Sequence, residues 1–190
     1  MTVKILGGVA RGFPLALPRS DSTRPTSVLI KRKLFDWRQD LGGYTFIDLC
    51  AGSGAMAFEA LSRGAEKIVV VDSDKSAFLT IKKNRDELMR AFRFEEKSFQ
   101  LSQADAKKFA EREISYFNED TILFFDPPYE DHALYVSVLA TLKEKEFPGE
   151  VWVETDRLKG PPKEKITQAF HSIIKVVEQG DHFVVVGKLR

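Results

Sequence analysis

From Tyr44 onward, apolar and polar positions follow two alternating rhythms. Short apolar runs predict strands at 44–50, 67–72, 98–102, 121–125 and 150–155. Between them, the stretches 55–63, 75–93, 106–114 and 132–145 can each present an apolar helical face; in the second, Phe78, Ile81, Leu88 and Phe92 recur at helical spacing. Strand and helix in alternation argue for a parallel sheet covered on both faces. The rhythm changes after Gly160-Pro161-Pro162. A short helical stretch is followed by strands at 172–178 and 182–189, joined by Gln179-Gly180-Asp181. A link that short makes the last two strands an antiparallel hairpin.

The first forty residues read differently. Val3-Lys4-Ile5-Leu6, Gly7-Gly8 and Gly12-Phe13-Pro14-Leu15 predict short strands with glycine-permitted turns. Thr26 or Ser27 can cap a helix running to Trp37, with Ile30, Leu34 and Trp37 on one face and Val28, Leu29 and Phe35 off it. The expected organisation is a small β/helix extension over 1–40 and an α/β sheet domain over 41–190.

Composition narrows the setting. The chain has 190 residues, 43% hydrophobic and 30% charged, as in an ordinary water-soluble domain. It contains no apolar stretch of spanning length and no signal-peptide pattern at its start, so no membrane and a cytoplasmic location are expected. The single cysteine, Cys50, excludes an internal disulfide and offers no metal-binding spacing. Charge is unevenly spread: residues 1–40 carry eight cationic side chains against three carboxylates, whereas the whole chain has a net charge of +1. A basic leading segment on an acidic body suggests a polyanion-binding edge.

The candidate chemistry lies at strand ends. Asp126-Pro127-Pro128-Tyr129 directly follows the apolar run 121–125, at the edge of an open α/β sheet where ligands bind. Asp126 and the Pro127 carbonyl are two acceptors for the hydrogens of an exocyclic amine, the prolines add no competing donor, and Tyr129 can stack on a base. Catalytic roles are therefore assigned to Asp126, Pro127 and Tyr129. At the first strand, Asp48-Leu49-Cys50-Ala51-Gly52-Ser53-Gly54 leads straight into a helix. Gly52 and Gly54 let the backbone turn sharply and approach a ligand, Ala51 and Ser53 complete the cofactor-binding loop, and the helix start favours a carboxylate. Asp48 can take an ammonium, Asp72 a pair of ribose hydroxyls, and Asp105 an adenine amine. The glycine loop alone also suits dinucleotides. Nothing in hydride transfer requires Pro-Pro-Tyr, so the set favours S-adenosylmethionine. Cys50 reads as a small buried residue, His132 as an exposed helix-start residue, and His171 and His182 as structural.

A parallel sheet with a terminal antiparallel hairpin resembles the Rossmann-like class I methyltransferase sheet. More specifically, Ile5-Leu6-Gly7-Gly8, Arg11-Gly12, Arg24-Pro25-Thr26, Leu34-Phe35, the 48–54 loop, the stretch 59–65 and Asp126–Tyr129 resemble the RsmD-type 16S rRNA guanine-N2 methyltransferases. That resemblance implies methyl transfer from S-adenosylmethionine to a guanine N2 amine in a partly or fully assembled small ribosomal subunit. It also implies a basic amino-terminal unit on RNA, for which Arg11, Arg24, Lys31 and Arg32 are the candidates, and a monomer is expected. The chain departs from the family at Lys31-Arg32, where members usually carry Arg-Glu. Two other readings use the same residues: an adenine-N6 methyltransferase on DNA or RNA, and a non-catalytic rRNA-binding assembly factor.

Overall fold

A computed structural model describes residues 2–18 and 28–190. The amino-terminal strands β1 (Thr2–Lys4) and β2 (Pro14–Ala16) pair antiparallel, and α1 spans Val28–Trp37. The alternating region then runs β3 (Thr45–Leu49), α2 (Ala55–Ser62), β4 (Lys67–Asp72), α3 (Lys75–Ala91), β5 (Phe99–Gln103), α4 (Ala106–Glu113), β6 (Thr121–Phe125), α5 (His132–Glu144) and β7 (Glu150–Asp156). A short α6 (Lys163–Gln168) precedes β8 (Ser172–Gln179) and β9 (His182–Lys188). The observed elements match the predicted ones to within a few residues at each end. The caps Thr26 and Ser27 lie outside the described residues.

Seven strands form one sheet in the order β5-β4-β3-β6-β7-β9-β8. The first five are parallel, and β9 lies antiparallel between β7 and β8. The chain winds outward from β3 through β4 to β5, then returns to the other side of β3 to lay down β6 and β7. Ligands bind at such a reversal, beyond the carboxyl ends of the strands. Because side chains alternate across a strand, β3 sends Phe46 to one core and Ile47 and Leu49 to the other. Helices α1, α2 and α3 close the first face, and α4, α5 and α6 close the second.

Among the described residues of 1–40, the buried apolar side chains join the core of the sheet. Ile5, Leu15, Ile30 and Leu34 share one hydrophobic cluster with Phe46 and Trp152. Phe35, expected off the buried stripe of α1, is fully buried, with its ring centroid 6.2 Å from those of Phe46 and Trp152. The helix packs into the angle between the sheet and α2, so a wider arc of its surface is covered than a single stripe. Val28 and Leu29 stay half exposed, as expected.

The junction is polar as well as apolar. Glu59, on α2 and fully buried, accepts from the Leu6 N–H at 2.7 Å and from Arg63 Nε at 2.8 Å. Its Oε2 also lies 3.3 Å from the Lys31 ammonium, which donates to the Lys4 carbonyl at 3.1 Å. Ser62 adds a bond from its hydroxyl to the Gly7 carbonyl at 2.6 Å and accepts from the Ala10 N–H at 2.9 Å. Burial pushes the Lys31 pKa down, and the facing Glu59 carboxylate opposes that shift.

Truncating Glu59 strands a buried ammonium and a backbone N–H. We expect Glu59→Ala to lower the unfolding free energy by about 3–5 kcal/mol, read from the denaturant midpoint at constant slope. A decrease below about 1 kcal/mol would mean that apolar packing alone seats the amino-terminal unit.

Candidate functional site

The loop after β3 turns through three residues with positive φ: Cys50 at 64°, Gly52 at 57° and Gly54 at 77°. Two carboxylates hold it. Asp48 Oδ2 accepts from the Ala57 N–H at 3.1 Å. Asp72 accepts from the Gly52 N–H at 2.8 Å with Oδ2 and from the Asp74 N–H at 2.8 Å with Oδ1. Asn84, buried on α3, donates to the carbonyls of Ser53 and Ala16, each at 3.0 Å, and accepts from the Ala16 N–H at 2.8 Å. The loop is thereby tied to β2 of the amino-terminal unit. Gly54 is the N-cap of α2 and provides no side chain to cap it, and Asp48 takes the Ala57 N–H, so only the earlier N–H groups of the first turn can serve a ligand anion. Asp105 caps α4 by accepting from the Lys108 N–H at 3.0 Å.

The second half of the site follows β6. Leu49 and Phe125 are register partners, so Asp126 emerges beside the glycine loop, its N–H 3.4 Å from the Leu49 carbonyl. Pro127 is buried, with the Tyr135 hydroxyl 3.5 Å from its carbonyl and 2.9 Å from the Glu154 carbonyl. Tyr129 is half-buried. Its hydroxyl donates to Glu154 Oε1 at 3.3 Å and lies 3.1 Å from His182 Nδ1, with the two ring centroids 5.6 Å apart. The phenol is thus pinned from behind while part of the ring faces outward. Burial, reinforced by the Asp126 charge, pushes the Tyr129 pKa up, so the group stays a neutral donor.

His182 therefore touches the site, where the sequence placed it as purely structural; the contact spans 53 residues and leaves no local trace. Glu154 was also missed. It is 0% exposed, and its Oε2 has no hydrogen-bond partner among the described residues. A weak signal existed, since Glu154 directly follows the apolar run Val151-Trp152-Val153 within a predicted strand. Burial first, then the nearby Asp126 charge, raises its pKa well above the usual carboxylate range, and burial does the same for Asp48. Burial followed by the Asp72 and Asp126 charges also raises the Cys50 thiol, which suits a packing residue and not a nucleophile.

The two halves meet across one cavity of about 640 Å³. Its wall includes Asp48, Ala51, Gly52, Ser53, Asp72 and Asp105 on the loop side and Asp126, Pro127 and Tyr129 opposite. Gly54 supports this wall without lining it. The amino-terminal unit adds Val3, Leu17, Pro18, Val28 and Lys31. Seven carboxylates and two lysines line the cavity among the described residues. A hollow of about 480 Å³ beside β5 and α4 shares only Asp105 with the predicted site.

The predicted RNA contacts divide. Arg11 and Arg32 are exposed, and Arg24 lies outside the described residues. Lys31 is a correction: at 3% exposure and paired with Glu59, its ammonium serves the internal junction and cannot reach a phosphate. The described residues contain no cluster of three or more His, Cys, Asp or Glu able to hold a metal, and no helix long and apolar enough to cross a membrane.

Comparisons with known proteins agree with this geometry. The family model described as conserved hypothetical protein 95 matches residues 3–184. The putative rRNA methyltransferase YlbH of Bacillus subtilis is 33% identical over 140 residues, 70% of each chain. Ribosomal RNA small subunit methyltransferase D of Haemophilus influenzae is 30% identical over 128 residues, 67% of this chain and 64% of that protein. Among solved structures, the putative methyltransferase yhhF from Escherichia coli superimposes with a TM-score of 0.78 at 23% identity, covering 100% of both chains. An RNA methyltransferase from Salinibacter ruber, in complex with S-adenosyl-L-homocysteine, gives 0.62 at 16% identity over 87% of this chain and 94% of that one. The structural likenesses establish a class I methyltransferase fold, and the family match establishes the lineage: this chain belongs to the conserved hypothetical protein 95 family, that of the RsmD-type 16S ribosomal RNA methyltransferases.

Proposed function

We propose that the protein transfers a methyl group from S-adenosylmethionine to the exocyclic N2 amine of a guanine in 16S rRNA of the small ribosomal subunit. The observation that carries this reading is the single cavity walled by the glycine loop on one side and by Asp126, Pro127 and Tyr129 on the other. The names of the relatives support the rRNA substrate. A cytoplasmic setting goes with that substrate.

The charge of the cavity fits the cofactor. A lining with seven carboxylates and two lysines disfavours a dinucleotide pyrophosphate and favours a ligand bearing an ammonium and a sulfonium. The first N–H groups of α2, ahead of the one taken by Asp48, suit that ligand's one carboxylate. In this reading Asp48 and Asp72 take its ammonium and ribose, and Asp105 its adenine. When bound, the cofactor supplies an electrophilic methyl group on sulfur.

The remaining work falls to the chain. The amine's lone pair is delocalised into the purine ring, so it is a weak nucleophile. The Asp126 carboxylate and the Pro127 carbonyl accept its two hydrogens and favour a pyramidal nitrogen. Tyr129, its hydroxyl fixed by Glu154 and His182, stacks on the base for about 1–3 kcal/mol and sets its plane. With reacting atoms held about 3–3.5 Å apart, positioning provides much of the rate. The proton leaves late, to Asp126 or to water. Arg11, Arg24 and Arg32 are the amino-terminal candidates for binding phosphates.

The deciding experiment incubates the protein with labelled S-adenosylmethionine and either small subunits or naked 16S rRNA, then separates the nucleosides. Label in N2-methylguanosine is the expected result. Label in N6-methyladenine would transfer the same geometry to an adenine, and cofactor binding without any transfer would leave only an assembly role. Asp126→Ala should reduce kcat by about 10²–10³ while still binding the cofactor by calorimetry, by analogy with removing one preorganised polar group. An unchanged kcat would remove Asp126 from the mechanism.

Glu154 yields a pH prediction. Its folded pKa lies well above the ordinary 4.5, so the native state holds a proton that the unfolded state has released. Its contribution is fully present below pH 4.5 and is lost progressively as pH rises toward the folded value. Glu154→Gln keeps the shape and removes the titration. Its stability relative to the parent should therefore grow from pH 4.5 upward in urea titrations. A difference that stays constant with pH would show that Glu154 is charged in the native state.

A further inference from the structure

We propose that the loop Arg157–Lys159, together with Lys163, forms a phosphate-gripping surface that seats the RNA strand beside the nucleotide held by Tyr129; this rests on the reading of the site given above. The loop leaves β7 at Asp156, on the cavity side of the sheet. Lys159 lines the cavity with Tyr129, and Asp156 is the register partner of His182, whose ring packs on Tyr129.

The loop is held in one shape by bonds from several elements. Asp156, 4% exposed, accepts through a single Oδ1 from the N–H groups of Leu158 at 3.2 Å, Lys159 at 2.7 Å and Gly160 at 2.9 Å. His132 Nε2 lies 2.8 Å from the Lys159 carbonyl, and the Arg157 N–H donates to the Asp181 carbonyl at 2.9 Å. At Gly160 a Cβ would fall 1.8 Å from Thr155 Oγ1 and 2.7 Å from the Asp156 carbonyl oxygen, so no side chain fits. What this framework presents to water is Arg157, then Leu158 at 76% exposure, then Lys159, whose ammonium lies 2.7 Å from Glu130 Oε1 on the exposed surface. An exposed leucine alone is ordinary. Between two cations on a fixed backbone it offers an apolar surface for a ribose or base flanked by phosphate-binding charges.

The charges around the loop point the same way. Arg157 Nη2 lies 2.9 Å from Glu178 Oε2, and Lys163 Nζ lies 2.6 Å from Glu178 Oε1. Lys33, on α1, donates to the Glu178 carbonyl at 2.8 Å. Three cations from separate parts of the chain thus converge on Glu178 of the edge strand β8, so that group carries more positive than negative charge, while Lys159 is paired with Glu130. Exposed pairs of this kind contribute little to stability. The Glu178 carboxylate occupies the place between an arginine and a lysine that a phosphate would take, and its own charge competes with one.

Opposite substitutions on the two sides of this cluster test the idea. Binding of a 16S rRNA transcript is measured directly by fluorescence anisotropy across a salt series, without methyl transfer, with cofactor affinity and thermal midpoint as controls. Arg157→Gln combined with Lys163→Gln should weaken binding about 10-fold and lower the salt slope by about 0.7–0.9 for each phosphate no longer neutralised. Glu178→Gln should tighten binding, since it removes the competing charge. Wild-type affinity and slope in the double variant, or weaker binding in Glu178→Gln, would overturn the loop as the phosphate surface. Failure of the wild-type protein to bind either the transcript or purified small subunits would overturn the rRNA reading along with it.

Discussion

Glu59 is a carboxylate buried where no solvent can neutralise it, and the architecture is arranged around that fact. Its partners come from both the amino-terminal unit and its own helix: the Leu6 N–H, the Lys31 ammonium and the Arg63 guanidinium. A buried charge is tolerable only when its partners are held in place, so the helix start at Lys31 and the strand end near Leu6 must dock together. Arg63 continues the connection by donating to the Phe35 carbonyl at 3.0 Å. With this docking, Val3, Leu17 and Val28 become one wall of the cavity. The site is thus completed by a segment that contributes none of its proposed catalytic groups.

The opposite electrostatic condition holds inside the cavity. Asp48 and Asp126 line it and Glu154 is buried nearby, and burial first, then the neighbouring carboxylates, raises the pKa of Asp48 and Glu154. Such an arrangement works against the stability of the empty fold and is relieved by a cationic ligand. The same carboxylates have structural duties, since Asp48 and Asp72 hold the turn of the glycine loop through backbone N–H groups. Loop shape and the negative charge of the cavity lining therefore come from the same side chains.

Much of this was legible in the residue pattern. Parallel strands buried on both faces read as continuous apolar runs, and the period changes at each helix, so the order of elements followed from local information. The hairpin followed from a turn too short to allow anything but antiparallel pairing, and Gln179 does pair with His182. The proposed site residues were singled out because they sit at successive strand ends, which a parallel sheet gathers along one edge. Phe35, Lys31, Glu154 and His182 were misread or missed because their surroundings depend on segments distant in sequence.

The sequence by itself therefore determined the alternation of strands and helices, the terminal hairpin and the chemical groups at the strand ends, because each depends on periodicity or on backbone geometry within a few residues. The tertiary structure alone decided which charges are spent internally and which face outward. Lys31 and Arg32 are neighbours in a basic run, yet one is locked against Glu59 and the other is exposed. Burial and pairing depend on what the fold brings alongside, and in this chain those partners are separated by tens of residues.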